Sequence, residues 1–232
     1  MRLHIFAALL ATAAFLSACT GQSAEEEIYD HLEKAVTLED TFREQQQPMV
    51  ELETKEQQLY EEIINLNMDQ IDEIKEKSQQ AAKIVEERKE KLDLEKESID
   101  AAKEEFDKIE SPVNDLDEEK EEAKVKAEEL VETMDARYEA YQNLYTAYDE
   151  ALTLDKELYD MMQDEELTEE QLQDQIDQVN QKYNEVMEHN ESFNKHTESY
   201  NQLKKELYEA MDLDVSYQEQ DESSASEDKK EE

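Results

Sequence analysis

The amino-acid sequence predicts an all-α protein, an elongated antiparallel bundle of long coiled-coil helices followed by a disordered acidic C-terminal tail. The 232 residues include one glycine and two prolines, so residues that break helices are scarce. Apolar residues recur at alternating spacings of three and four over several heptads, which is the pattern of coiled-coil packing. Charged residues make up 39% of the chain and would alone suggest disorder, but the periodicity favours packed helices.

Residues 1–18 have the features of a secretory signal. Arg2 and His4 precede an apolar run from Ile5 to Ala18, which is shorter than the roughly 20 residues of a membrane-spanning helix. The run ends in Leu-Ser-Ala-Cys at residues 16–19, which resembles the bacterial lipobox. That resemblance implies cleavage before Cys19 and a diacylglyceryl group on its sulfur. The chain would then be anchored on the extracytoplasmic face of the cell membrane.

Cys19 is the only cysteine of the sequence, so it has no partner for a disulfide bond. Ordinary signal-peptidase cleavage would leave it as a free thiol, whereas lipidation would account for an unpaired cysteine at this position of an exported protein. Attachment through more than one acyl chain would hold the protein stably on a bilayer. We therefore predict a signal peptide (1–18), a lipidated tether (19–24), a helical bundle domain (25–213) and a disordered acidic tail (214–232).

The first predicted helix begins at a capping box made by Ser23 and Glu26, whose side chains can satisfy free amides at a helix start. Its end is expected near Gln46, because Pro48 disfavours the helical conformation of the residue before it.

The segment from residue 49 to residue 109 carries two lattices of mostly apolar residues at heptad spacing. Arg88 and Glu95 interrupt one of these lattices, and polar interruptions of this kind weaken a seam and fix its register. A helix break is expected at Asn67, with Asp69 capping the restart.

Two further signals divide the second half of the bundle domain. Ser111-Pro112 predicts a helix stop and restart. The turn at residues 167–172 combines a Thr168–Gln171 capping box with a hydrophobic staple around it. The predicted helices then cover residues 69–110, 113–163 and 168–213, whose similar lengths suit one bundle.

Three stretches of the sequence resemble the YkyA family, lipoproteins of Gram-positive bacilli described as cell-wall-binding. They are residues 48–53 (Pro-Met-Val-Glu-Leu-Glu), residues 130–134 (Leu-Val-Glu-Thr-Met) leading into Tyr138–Tyr148, and the turn at residues 167–172. The lipobox and the short first helix fit the same family. The resemblance covers most of residues 19–213 and implies a wall-associated lipoprotein. It carries no site residues over to this chain.

The residue types that build catalytic sites are thinly distributed. Phosphate-binding loops and nucleophile elbows need glycine, and Gly21 lies in the tether. His189 and His196 share a helix face but lack the spacing of a metal site. The sequence therefore predicts no enzyme, no catalytic residue, no metal and no cofactor, and it identifies no small-molecule substrate.

A stripe of tyrosines is the one candidate binding feature, made of Tyr138, Tyr141, Tyr145 and Tyr148 at helical spacing. Counting from the predicted turns places Tyr148 near Tyr183 and Tyr138 near Phe193. The same counting places residues 141–145 near Ser78, Ala81 and Ala82. Large rings opposite small residues favour core packing with hydroxyls at the rim. The alternative is an aromatic platform for glycan.

The formal net charge of −42 limits the partners. Nucleic acid, anionic lipid surfaces and teichoic acids would be repelled, whereas peptidoglycan with basic stem residues and basic envelope proteins remain compatible. We predict a lipid-anchored, non-catalytic spacer or interaction module of the cell envelope. The alternatives are a cell-wall hydrolase and a chaperone-like binder of exported proteins.

Overall fold

The computed structural model describes residues 11–12, 22–213 and 215–217. Cys19 and most of the predicted signal and tail lie outside the described residues. The helices are α1 (Ala24–Leu38), α2 (Asp40–Ile64), α3 (Ile71–Phe106), α4 (Glu110–Asn114), α5 (Glu121–Met161) and α6 (Glu169–Ala210). Short 3-10 turns lie at Met68–Gln70, Asp107–Ile109 and Glu118–Lys120. Two-residue strands, β1 (Ala11–Thr12) and β2 (Ser216–Tyr217), pair antiparallel.

The helices form an up-down-up-down bundle, so the predicted fold class is confirmed. Helices α1 and α2 follow one another along α3, α3 packs on α5, and α5 forms its most extensive pairing with α6. Since α3, α5 and α6 have 36, 41 and 42 residues, they run about 55–65 Å. The bundle is therefore much longer than it is wide.

The core consists of three apolar clusters along this axis. One lies at the end where α1 begins, which we call the anchor end, and includes Ile28, Phe106 and Leu207. A middle cluster is built around Tyr141 and Phe193. The third cluster occupies the far end, where α2 meets α3 and α5 meets α6. Ridges of apolar residues at heptad spacing thus cover the whole length of the bundle.

Two capping boxes begin helices where the sequence predicts them. Ser23 Oγ accepts a hydrogen bond from the Glu26 amide at the start of α1, and Thr168 Oγ1 accepts one from Gln171 at the start of α6. The break at Asn67 is also confirmed, with one correction. Asn67, rather than Asp69, is the residue before the restart, and the Gln70 side chain accepts a hydrogen bond from its amide.

The prediction that the first helix ends near Gln46 is wrong. Helix α1 ends at Leu38, and Pro48 lies inside α2. Ser98 of α3 explains the earlier break, because its hydroxyl donates to the Leu38 carbonyl at 2.6 Å and accepts from the Phe42 amide at 3.1 Å. A proline is tolerated in α2 because Glu44, whose carbonyl loses its bond, is exposed to solvent.

The predicted restart at Ser111-Pro112 is also wrong. Pro112 lies within the short helix α4 and is buried, and the chain turns later, between Asn114 and the 3-10 turn that begins at Glu118. Val113 and Leu116 belong to the apolar cluster at the anchor end. Their burial holds the segment after the proline against the bundle, so the turn falls beyond it.

Candidate functional site

The tyrosine stripe divides into a buried row and a surface row. Tyr141 is 1% exposed and packs its ring against Phe193 at 5.4 Å and Phe42 at 6.0 Å between centroids. Tyr148 is also buried. Tyr138 and Tyr145 are partly exposed where α3 meets α5. Two of the four predicted residues therefore lie in the core, and two lie in a surface groove.

That groove is a mixed surface of rings and charges, which we call the tyrosine–lysine seam. It consists of Lys89, Asp93, Lys96, Asp100 and Lys103 of α3 with Asp135, Tyr138, Gln142, Tyr145 and Asp149 of α5. The Tyr145 hydroxyl donates to Asp93 at 2.9 Å, and the Tyr138 hydroxyl donates to Asp100 at 3.0 Å. The ammonium groups of Lys89 and Lys96 lie 5.0 and 5.4 Å from the Tyr145 ring centroid, within cation–π range.

The seam repeats every seven residues on both helices. Lys89 pairs with Asp149 at 2.7 Å, and Lys103 pairs with Asp135 at 3.0 Å. Gln142 takes the equivalent place between these two acids, and its amide donates to Asp100. The α5 row therefore has an uncharged amide at its centre, between the rings of Tyr138 and Tyr145.

Beneath the far half of the seam lies a buried ion cluster around Arg88, which is 3% exposed. One guanidinium nitrogen donates to Glu56 of α2 and, at 3.4 Å, to Asp155 of α5. The other donates to the hydroxyls of Tyr148 at 2.7 Å and Tyr183 at 2.9 Å. Arg88 thus links all four long segments of the bundle through its own helix α3.

The tyrosine hydroxyls of the cluster in turn donate hydrogen bonds to carboxylates. Tyr148 donates to Glu53 at 2.5 Å, and Tyr183 donates to Asp155. Burial raises the pKa of Asp155 to about 7, and the Glu56 charge adds to this rise while Arg88 opposes it. Burial raises the pKa of Glu56 as well.

A second polar layer lies one heptad from Arg88. Glu95 is buried and accepts a hydrogen bond from the Gln46 amide at 2.9 Å. Burial raises the pKa of Glu95 to about 8, with a further contribution from the charge of Glu53. At neutral pH the Glu95 carboxyl is therefore largely protonated.

Two more buried cations form ion pairs between helices in the anchor half of the bundle. Arg137 holds Glu39 through two hydrogen bonds of 2.7 and 2.9 Å and lies 4.9 Å from the Phe193 ring centroid. Lys204 of α6 reaches Glu33 of α1 at 3.1 Å. These contacts cross between helices, so they fix helix register as well as neutralising charge.

The observed pairing tests the predicted register. Tyr148 does face Tyr183, with ring centroids 6.3 Å apart. Phe193 faces Tyr141 instead of Tyr138. The α3 partner of Tyr145 is Asp93 instead of the Ser78–Ala82 stretch. The second error follows from the misplaced turn at Pro112, because a later turn shifts every residue of α5 along α3.

The sequence did single out Arg88 and Glu95 as polar interruptions, and both are now seen to be buried. The acidic partners of Arg88 were missed, because Glu56 and Asp155 do not stand out among 66 acidic residues. Arg137 and Lys204 were missed as well. The available signal was a basic residue at an apolar lattice position, which requires a buried acid on a neighbouring helix.

Within the described ranges, no three side chains of His, Cys, Asp or Glu are grouped in a way that could hold a metal ion, and His189 and His196 belong to no such group. Among the same residues, no helix is both long and apolar enough to cross a membrane.

Residues 23–210 match the family YkyA, described as "Putative cell-wall binding lipoprotein". The chain belongs to the YkyA family. An uncharacterized lipoprotein, YkyA, of Bacillus subtilis (strain 168) is 36% identical over 203 residues, which cover 88% of this chain and 90% of that protein. Membership in a lipoprotein family implies a location in the cell envelope.

A crystal structure of a conserved protein of unknown function from Staphylococcus aureus shares the fold. The TM-score is 0.56 at 13% identity, and the likeness covers 82% of this chain and 97% of that one. At this level of identity the similarity concerns the architecture of the bundle alone.

Proposed function

We propose that this YkyA-family protein is a lipid-anchored, non-catalytic rod that serves as a spacer and interaction module between the membrane and the cell wall. One observation carries the proposal. Ala24, the first residue of α1, packs at the anchor end in the same apolar cluster as Leu116 and Leu213. A lipid on Cys19 would therefore hold the bundle by one end.

The distance to the other end suits a spacer. The turns after α2 and α5 lie at the far end of α5, whose 41 residues extend about 60 Å. The buried ion pairs of Arg88, Arg137 and Lys204 hold neighbouring helices in a fixed register. A rod held in register keeps a partner at a defined height above the membrane.

We assign cell-wall binding to the tyrosine–lysine seam. Tyr138 and Tyr145 are seven residues apart on α5, so their rings repeat at about 10 Å along the bundle. Each ring is flanked by an ammonium and a carboxylate, a pairing that offers both donors and acceptors to sugar hydroxyls and peptide groups. Tyr141 and Tyr148 lie in the core behind them and support the backbone of α5.

Lipid attachment is tested by metabolic labelling with a palmitate analogue. The wild-type chain should be labelled and remain with the membrane, whereas Cys19→Ala should take up no label. Equal labelling of the two proteins would exclude Cys19 as the anchor.

Wall binding is tested by sedimentation of the detergent-solubilised full-length protein with purified peptidoglycan. The double variant Tyr138→Ala/Tyr145→Ala should lose sedimentation and keep its helical circular dichroism. Tyr60→Ala is the matched control, since Tyr60 is a partly exposed tyrosine of α2 outside the seam. Unchanged sedimentation of the double variant would remove the seam from the proposal. Release of soluble fragments from the peptidoglycan would contradict the non-catalytic role.

A further inference from the structure

The Arg88 cluster contains more carboxylates than its guanidinium can neutralise. The charged and titratable groups that face one another there come from four helices: Glu53 and Glu56 of α2, Arg88 of α3, Tyr148, Asp155 and Tyr159 of α5, and Tyr183 of α6. Glu56 and Asp155 are 5% and 4% exposed, and Glu53 is partly exposed. Full ionisation would leave excess negative charge in the interior, which is costly.

A bound proton removes most of that cost. Glu56 and Asp155 both approach the same guanidinium nitrogen of Arg88, from opposite sides of the bundle. When one of the two is protonated, the other forms a neutral pair with Arg88. When both are ionised, the two carboxylates repel each other across a low-dielectric gap.

Helix α2 is the element that such repulsion would displace. Apart from the bond between the Phe42 amide and Ser98 next to the break, the polar contacts that attach it to the bundle interior involve carboxyl groups, namely Glu56 with Arg88, Glu53 with Tyr148, and Gln46 with Glu95. It is separated from α1 by the break at Glu39. Helix α2 packs closely on one neighbour, α3, whereas α5, which carries Asp155, packs on both α3 and α6.

We propose that α2 is a pH-released arm of the bundle. A proton on either Glu56 or Asp155 keeps α2 docked across Arg88, and loss of that proton at weakly alkaline pH lets α2 move away from α3 and α5 about the Glu39 break. The raised pKa values of Asp155 and Glu95 agree in direction with this geometry. The docked state binds more protons than the released state, so docking weakens as pH rises through about 7.

The size of the effect follows from proton linkage. Release of one proton weakens docking by up to about tenfold for each pH unit between the carboxyl pKa of the released state and that of the docked state, and no further above it. Release uncovers the apolar face of α2 around Met49 and Leu52, both of which are buried in the docked state. The device therefore couples ambient pH to the exposure of an apolar surface.

The test is hydrogen–deuterium exchange of the full-length protein in detergent micelles, corrected for the intrinsic pH dependence of exchange. Between about pH 6 and about pH 8.5, amides of α2 should lose about tenfold in protection, whereas amides of α5 and α6 should lose much less. Uniform loss in all helices, or constant protection of α2, would overturn the proposal.

Two variants and one control identify the proton. Asp155→Asn and Glu56→Gln each remove one ionisable group, so each should reduce the pH dependence of α2 protection, and the remainder should come from Glu95. Glu51→Gln is the same chemical change at an exposed position of α2 and should behave as wild type. If Asp155→Asn does not fold, Glu56→Gln alone decides the outcome, and a wild-type pH profile in that variant contradicts the proposal.

A measurement in high salt distinguishes an effect of the buried proton from an effect of repulsion between surface charges. The net charge of −42 also loosens the bundle as pH rises, but added salt screens exposed charges much more than buried ones. The loss of α2 protection should therefore persist in high salt. If salt abolishes it, the pH response belongs to the surface charge and not to the Arg88 cluster.

Discussion

Helices α5 and α6 and the pair α1–α2 span similar lengths of chain, yet they differ in continuity. Helices α5 and α6 run for 41 and 42 residues without a break. The α1–α2 segment covers a similar length of chain, but its helix is interrupted at Glu39, where neither glycine nor proline is present. At that point Ser98 of α3 and Arg137 of α5 bind the backbone and the side chain of the broken turn.

This difference shows that a helix can be interrupted by its neighbour rather than by its own residues. A free helix end leaves amides and carbonyls without partners, which is costly inside a protein. Because Ser98 satisfies both a carbonyl before the break and an amide after it, the interruption costs little. The continuous α5–α6 pair forms the most extensive helix pairing, and specific polar contacts at the break join the α1–α2 segment to α3 and α5.

The largest expected effect lies in the α5–α6 half. Tyr141→Ala should destabilise the protein by about 3–5 kcal/mol, because it removes a ring packed against Phe42 and Phe193 and leaves a cavity. Urea unfolding followed by circular dichroism measures the loss. Tyr145→Ala, at the partly exposed seam, should cost well under this amount. Equal losses would mean that the two rows of the stripe are buried to the same degree in solution.

A pH-dependent effect is expected at the contact between α2 and α3. The pKa of Glu95 is raised to about 8, so the folded state holds a proton that the unfolded state has lost above about pH 4.5. Its contribution to stability therefore falls as pH rises from about 4.5 to about 8. Glu95→Gln should match wild type near pH 4 and exceed it by on the order of 4 kcal/mol near pH 9. Urea titrations at several pH values check this, and parallel curves for the two proteins would contradict it.

The break itself is tested by two buried serines of α3. Ser98→Ala should cost about 1–3 kcal/mol, because it leaves the Leu38 carbonyl and the Phe42 amide without their partner. Ser78→Ala is the matched control. The Ser78 hydroxyl is fully buried and, within residues 22–213, forms no hydrogen bond. Thermal melting should therefore show a loss for Ser98→Ala and none for Ser78→Ala, and the reverse order would refute the role of Ser98.

The smallest expected effect is a gain. The Tyr141 hydroxyl is buried and has no hydrogen-bond partner in the described part of the chain. Tyr141→Phe removes this unsatisfied group and keeps the ring, so it should raise stability by about 1 kcal/mol. Tyr148→Phe is the contrasting variant, since the Tyr148 hydroxyl bonds Glu53 and Arg88 and its removal should destabilise. A lowered melting temperature for Tyr141→Phe would indicate a partner for this hydroxyl in solution.

Much of the fold could be predicted from contacts between residues close in sequence. The capping boxes at Ser23 and Thr168 span three residues each, and the break at Asn67 depends on local backbone preference. The all-α class follows from periodicity and the lack of breakers. Even the contact between Tyr148 and Tyr183 was accessible, because the turn between α5 and α6 is encoded locally and antiparallel counting from it is correct this close to the turn.

The tertiary structure alone decided the features that depend on a neighbouring helix. Pro48 and Pro112 did not end helices, whereas Glu39 did, because exposure and the Ser98 hydroxyl determine which backbone groups are satisfied. The partners of Arg88 were hidden among 66 acids of identical chemistry. Which of them are buried depends on how helices far apart in sequence are brought together, and burial in turn determines which carboxyl groups keep a proton at neutral pH.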